Sequence, residues 1–173
     1  MSAAPEFSFE VDLSALPKAG RRFQLEAGAE ERDAVAKRLG VIAVEHLSGD
    51  INVRATRDRF SVRGALVARL KRQCVATLQE MSEEIDEPFE LDFVRRADIT
   101  DDEDEEISLD APECFDGRIF DLGETLVQQL SLAMDPFPRL PGGDSLAEKF
   151  GADEDTSPFA QALAQAIKSD KNQ

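Results

Sequence analysis

Residues 41–70 read VIAVEHLSGDINVRATRDRFSVRGALVARL, and this stretch decides the fold. Its apolar residues recur with a period near two, the spacing of half-buried strands rather than of a helix. Val41 to Leu47 reads as one strand. Ser48-Gly49-Asp50 is a turn signal, and Ile51, Val53 and Ala55 follow it on a second strand. Thr56 to Arg59 is another turn, followed by Phe60, Val62, Leu66 and Leu70. Cys74 to Met81 and Pro88 to Arg95 complete the series. Turns this short join antiparallel neighbours, because parallel strands need longer crossovers. Gly64, inside the longest apolar run, suggests a bulge or bend. The expectation is an α+β fold: an antiparallel, strongly bent, barrel-like sheet meander packed with a few helices.

On either side of this stretch the pattern changes. Phe7, Phe9, Val11 and Leu13 alternate with polar neighbours, as a strand would, and Arg22 to Leu25 suits a second short strand. Glu30 to Leu39 reads as a helix, with Glu30 and Glu31 at its start, Lys37 and Arg38 at its end, and Gly40 as the left-handed stop. Asp121-Leu122-Gly123-Glu124 has the form of a capping box. Leu122, Leu126, Leu130 and Ala133 then mark one helical face as far as Pro136. Ser157-Pro158 opens a last amphipathic helix carrying Phe159, Leu163, Ala166 and Ile167. The expected organisation is a single α+β domain over 1–138 with a flexible acidic loop at 98–113. A linker at 139–157 and a C-terminal amphipathic helix at 158–168 follow.

The 173 residues carry a formal net charge of -16, unevenly distributed. Residues 18–72 hold 13 basic and 7 acidic side chains, whereas residues 80–124 hold 3 basic and 19 acidic ones. A pI near 4.4 argues against a general polyanion binder and against a polybasic membrane anchor. There is no apolar run long enough for a membrane span and no secretory leader pattern at Met1 to Asp12, so a cytoplasmic protein is expected.

Catalytic and metal motifs are missing from the sequence. It has no glycine-rich phosphate loop, no G-x-S-x-G and no H-E-x-x-H. Its two cysteines, Cys74 and Cys114, and single histidine, His46, do not make a zinc set or a disulfide framework. His46 reads as a partly buried strand residue. No catalytic residue, metal ligand or cofactor is expected, and the protein is read as not an enzyme.

The basic residues of the meander are the candidate nucleic-acid contacts: Arg54, Arg57, Arg59, Arg63, Arg69, Lys71 and Arg72. Residues two apart share a strand face, so Arg57, Arg59 and Arg63 would line one side and Arg69 and Lys71 another. Phosphates are bound by such rows of cations. Phe60, placed near the hairpin tip, is the best single candidate for base stacking, although core packing is the preferred reading of it. Asp101, Asp102, Glu103, Asp104, Glu105 and Glu106 form an unbroken acidic run suited to a basic partner. Pairing of the same arginines with the protein's own acidic loop is the competing explanation.

Three stretches carry a resemblance. Gly64 to Leu78 (GALVARLKRQCVATL), followed by Ile85, Phe89 and Phe93, leads a strand to a cysteine and a T-L step. Gly117 to Glu124 (GRIFDLGE) continues through Gln129 to Pro138 as a D-L-x-E helix with a proline-rich exit. Ser157-Pro158-Phe159-Ala160, with Leu163 and Ile167-Lys168, closes the chain. In order and spacing these resemble the YceD family, the large ribosomal RNA subunit accumulation proteins. The resemblance implies a cytoplasmic, non-enzymatic factor that supports synthesis, processing or stability of 23S ribosomal RNA. It implies ribosomal RNA or a large-subunit ribosomal protein as partner, with neither membrane nor DNA. The alternative is a protein-only adaptor or chaperone for basic ribosomal proteins. Many relatives carry a C-x-x-C at the strand end; here Lys71 stands at its first position and only Cys74 remains, so no metal site is carried over.

Overall fold

The computed structural model describes residues 5–57, 59–94, 113–115 and 117–141. The expected linker from 142 onward, the C-terminal helix and residues 98–112 of the acidic loop lie outside them. The chain divides into two compact units, Met1–Arg72 with Ser82–Pro136, and Gln73–Met81 with Phe137–Gln173.

The first unit is built on a sheet of five strands in the order β2-β3-β4-β5-β6. They are β2 (Arg21–Glu26), β3 (Ala43–Ala55), β4 (Arg59–Gln73), β5 (Glu80–Val94) and β6 (Glu113–Cys114). A two-stranded ladder joins β1 (Glu10–Asp12) to β7 (Ile119–Asp121). The helices are α1 (Ala29–Leu39) and α2 (Leu122–Ala133). The α+β class is as expected, α1 matches within a residue, and α2 begins at Leu122 as expected but ends at Ala133, short of Pro136. The barrel is not as expected: β2 and β6 are the two ends of an open sheet, and no closed or strongly curled sheet is found among the described residues. Nor is it purely antiparallel, since β6 runs parallel to β5.

The turn expected at Ser48-Gly49-Asp50 is the middle of β3. Pairing continues unbroken from His46 with Arg69 to Ala55 with Phe60. Polar and small residues occur there because of what lies on each face. Ser48 and Asp50 point to the solvent side. Gly49 points to the core, where a Cβ would stand 2.8 Å from Leu126 Cδ1. The absent side chain is what lets α2 lie close on the sheet. Gly64 does not mark a bulge either; it pairs in register with Ile51, and a Cβ there would stand 2.8 Å from the Asp50 carbonyl oxygen. The bulge is between Val44 and His46, so Glu45 is the extra residue. Near the N-terminus the expected strand shortens to Glu10–Asp12. A 3-10 turn at Leu13–Ala15 follows, begun by Asp12, which accepts a hydrogen bond from the Ser14 N–H at 2.9 Å.

The inner face of the sheet and both helices share one core. Leu47, Ile51, Val53, Val62, Leu66 and Leu70 come from β3 and β4, Val35 from α1, and Leu122, Leu126 and Leu130 from α2. Each buried side chain of this size contributes about 1.5–3 kcal/mol relative to exposure. At α2 the expected capping box is half realised. Asp121 accepts the Glu124 N–H at 3.0 Å, and also the Phe9 N–H at 2.9 Å and the Ser8 hydroxyl at 2.6 Å. Glu124 does not reach back. It takes both guanidinium nitrogens of Arg38 from α1, at 2.6 and 2.7 Å, and Arg38 also holds Glu6 at 2.9 Å.

The Arg38 hydrogen bonds hold the Glu124 carboxyl below its ordinary value of 4.5. As pH falls the unfolded chain therefore takes up this proton first. The stabilisation is complete above the ordinary value and is lost as pH falls through the lower, folded one. In urea titrations Glu124→Gln is expected to be less stable than the parent near neutrality, with the gap closing in acid. A gap that stays constant down to acid unfolding would contradict this role.

In the second unit, residues 74–79 form a turn, not the strand expected from Cys74. Cys74 N–H donates to the Gln79 carbonyl and Leu78 N–H to that of Cys74, both at 2.9 Å. Leu78 takes a left-handed φ of 60° to close it.

Candidate nucleic-acid interface

Alternation puts one set of β3 and β4 side chains on the solvent face: His46, Ser48, Asp50, Asn52 and Arg54 on β3, and Arg59, Ser61, Arg63, Ala65, Val67, Arg69 and Lys71 on β4. Four of the seven expected basic contacts, Arg59, Arg63, Arg69 and Lys71, thus share a strand face, with Arg54 beside them. Arg57 is on the turn rather than in line with Arg59 and Arg63. Arg72 is on the other face.

Most of these cations have a carboxylate. Arg63 pairs with Glu90, Arg69 with Glu84 at 3.0 Å, and Lys71 with Glu45 at 3.0 Å. Arg72 pairs with Glu83 at 2.5 Å, both side chains only 12% and 14% exposed, and donates to the Asp135 carbonyl at 2.7 Å. Arg72 is thereby corrected from a phosphate contact to a structural ion. The partners of Arg63, Arg69 and Arg72 fall on β5 in descending order, as antiparallel neighbours require. Arg63, Arg69 and Arg72 are therefore matched by the adjacent strand. Sequence reasoning attributed the acidity to that loop and missed Glu83, Glu84 and Glu90. The available signal was that β5 carries seven acidic residues and no basic one, directly after a basic strand.

Arg54, Arg57 and Arg59 differ. All three are exposed, and none has an ion pair with another described residue. Arg54 stands opposite Ser61, so Arg59 and Arg63 flank it diagonally at roughly 7–8 Å between backbones. The turn holding them is tied down. Thr56 N–H and Thr56 hydroxyl both donate to the Arg59 carbonyl, at 2.8 and 2.9 Å, and Arg59 N–H donates back to Thr56 Oγ1 at 3.2 Å. Asp58, between Arg57 and Arg59, lies outside the described residues.

Phe60 takes the core position preferred for it, not the stacking one. It is 4% exposed and stacked on Phe93, ring centroids 4.5 Å apart and planes 9° apart, with Phe115 and Phe120 edge-on. Elsewhere on the solvent face, Arg22 pairs with Asp50, and their hydrogen bond holds the Asp50 carboxyl below its usual range. His46 is half-buried as expected, its Nε2 2.9 Å from the Ser48 hydroxyl.

Cys74 is buried, and its thiol is pulled down to about 7 by hydrogen bonds from the Thr77 hydroxyl and the Leu140 N–H. The residue that shares its turn three positions away is Thr77; Lys71 lies on the strand with Glu45. Cys114 is exposed. Among the described residues no group of three histidine, cysteine or carboxylate side chains is placed to hold a metal ion. No described helix is long and apolar enough to cross a membrane. The six acidic residues Asp101 to Glu106 lie outside the described residues. The chain matches no protein-family model, no curated protein and no solved structure.

Proposed function

We propose that the protein is a non-enzymatic factor supporting synthesis, processing or stability of 23S ribosomal RNA, and that it touches RNA phosphates through the β3–β4 hairpin end. One observation carries the contact. Arg54, Arg57 and Arg59 cluster without a described carboxylate, in a chain with 36 acidic residues where Arg63, Arg69, Lys71 and Arg72 are each matched. Like charges left side by side repel, and an anion placed among them removes that cost. The ribosomal assignment rests on the sequence resemblance. The exposed arginines support a polyanion of this kind, and the acidic surround supports restraint toward other polyanions.

With no Trp or Tyr, the protein absorbs almost nothing at 280 nm, so bound RNA dominates the ultraviolet spectrum. Binding to 23S fragments is expected to weaken with salt, with a log–log slope near about -0.9 per phosphate on duplex and about -0.7 on single strands. Replacing Arg54, Arg57 and Arg59 with Ala is expected to reduce that slope by about 2–3. An absence of binding at low salt would defeat the contact and favour the protein-only adaptor for basic ribosomal proteins.

A further inference from the structure

β5 is 15 residues long, yet β6 meets it only at Phe93 and Val94. From Ser82 to Asp92, the edge of β5 away from β4 has no partner strand among the described residues. Alternate backbone N–H and C=O groups along it meet no described strand, and Pro88, which has no N–H, is tolerated on such an edge. This segment carries six carboxylates and no Lys or Arg of its own. Glu83, Glu84 and Glu90 serve the β4 arginines, while Asp86, Glu87 and Asp92 have no ion pair with a described residue.

Beside the edge is a cleft of about 400 Å³ between β5 and α2, with Pro88 and Phe89 on one side and Leu132 and Ala133 on the other. Leu132 is 78% exposed, although it sits on a helix whose other leucines are buried. The edge therefore offers backbone hydrogen bonds, negative charge unmatched by any described cation, and a recess of mixed lining in which Leu132, Phe89 and Ala133 stand beside Glu87 and Gln129.

We infer that this edge is a docking strand for an extended basic segment of another protein, which adds to the sheet beside β5 and places an apolar side chain in the Leu132 cleft. β-Strand addition of this kind draws affinity from the backbone and selectivity from alternate side chains. Charge decides the occupant. Residues 98–106 of this chain read DITDDEDEE, and a second copy would set one acidic β5 against another; both are repelled. A Lys- or Arg-rich strand is attracted. The inference does not rest on the RNA contact.

The test uses the full chain and a nine-residue peptide alternating lysine with valine. The control keeps the lysines and replaces each valine with proline, which cannot donate to the edge. The lysine–valine peptide is expected to bind at least about tenfold more tightly. Asp86→Asn with Glu87→Gln and Asp92→Asn, and separately Leu132→Ser, are each expected to weaken it by about tenfold. Amides of residues 82–92 should exchange quickly in the unbound protein and slow on binding. Equal binding of the two peptides would reduce the effect to charge attraction and overturn the inference. So would edge amides that, in the protein alone, already exchange as slowly as those of central β3, since the chain would then cover its own edge. A concentration-dependent dimer abolished by the triple variant would assign the edge to a second copy instead.

Discussion

Phe60→Ala is expected to destabilise the protein by about 3–5 kcal/mol, among the largest single effects available in this fold. The ring is the hub of four phenylalanines: Phe93 lies flat against it, Phe120 meets it at 5.0 Å and 69°, and Phe115 at 5.3 Å and 76°. Truncation removes the transfer free energy of the ring and leaves a cavity at the meeting point of β4, β5 and β7, which the neighbouring rings fill only in part. It also forfeits aromatic pair contacts worth about 0.5–1.5 kcal/mol each. Urea unfolding should show the loss as a lower midpoint at unchanged slope. Phe60→Leu keeps much of the apolar volume and is expected to stay folded. RNA affinity of that folded variant should equal the parent's. A loss of about 1–3 kcal/mol of RNA binding in Phe60→Leu would restore the stacking role that its burial denies.

Arg72→Ala is expected to cost about 3–5 kcal/mol of stability, for a different reason. Arg72 and Glu83 are nearly buried, and Glu83 also accepts the Asp135 N–H at 2.9 Å where the chain leaves α2. The pair thus ties β4, β5 and the exit of α2 together. Removing the guanidinium alone leaves a carboxylate in a poorly solvated place. Arg72→Met combined with Glu83→Gln removes both charges and keeps an acceptor for the Asp135 N–H, so it should recover most of the loss. If Arg72→Ala stays within about 0.5 kcal/mol of the parent, the ion pair is not the tie described.

These two residues show where the sequence could and could not be read. Helix ends were legible because their signals are local: Glu30, Glu31 and Gly40 bracket α1, and Asp121 begins α2. The existence of β3 and β4 was legible from their period of two. Their interruptions were not. Ser48-Gly49-Asp50 has turn composition, and only the approach of Leu126 explains a glycine in mid-strand. The same limit applies to Gly64, whose contacts come from β3 and Phe89. The barrel expectation failed because strand count and polarity do not say whether the two end strands meet. At the site, the basic residues were legible by type and face. Which of them are matched depends on the neighbouring strand: Glu84 and Glu90 neutralise Arg69 and Arg63 only once β5 is laid beside β4. Asp121 and Glu124 fit a capping box by spacing, but the guanidinium of Arg38, far away in sequence, claims the glutamate.

The account turns on the division between matched and unmatched cations on one sheet face, and a paired comparison of salt dependence tests it most directly. RNA binding is measured from low to moderate salt for the parent, for Arg54, Arg57 and Arg59 changed to Ala, and for Arg63, Arg69 and Lys71 changed to Ala. Each set removes three positive charges, so a general electrostatic effect would act on both alike. The expected result is a slope reduced by about 2–3 in the first variant and nearly unchanged in the second. Equal reductions in both, or a larger one in the second, would contradict the assignment of the contact to the hairpin end.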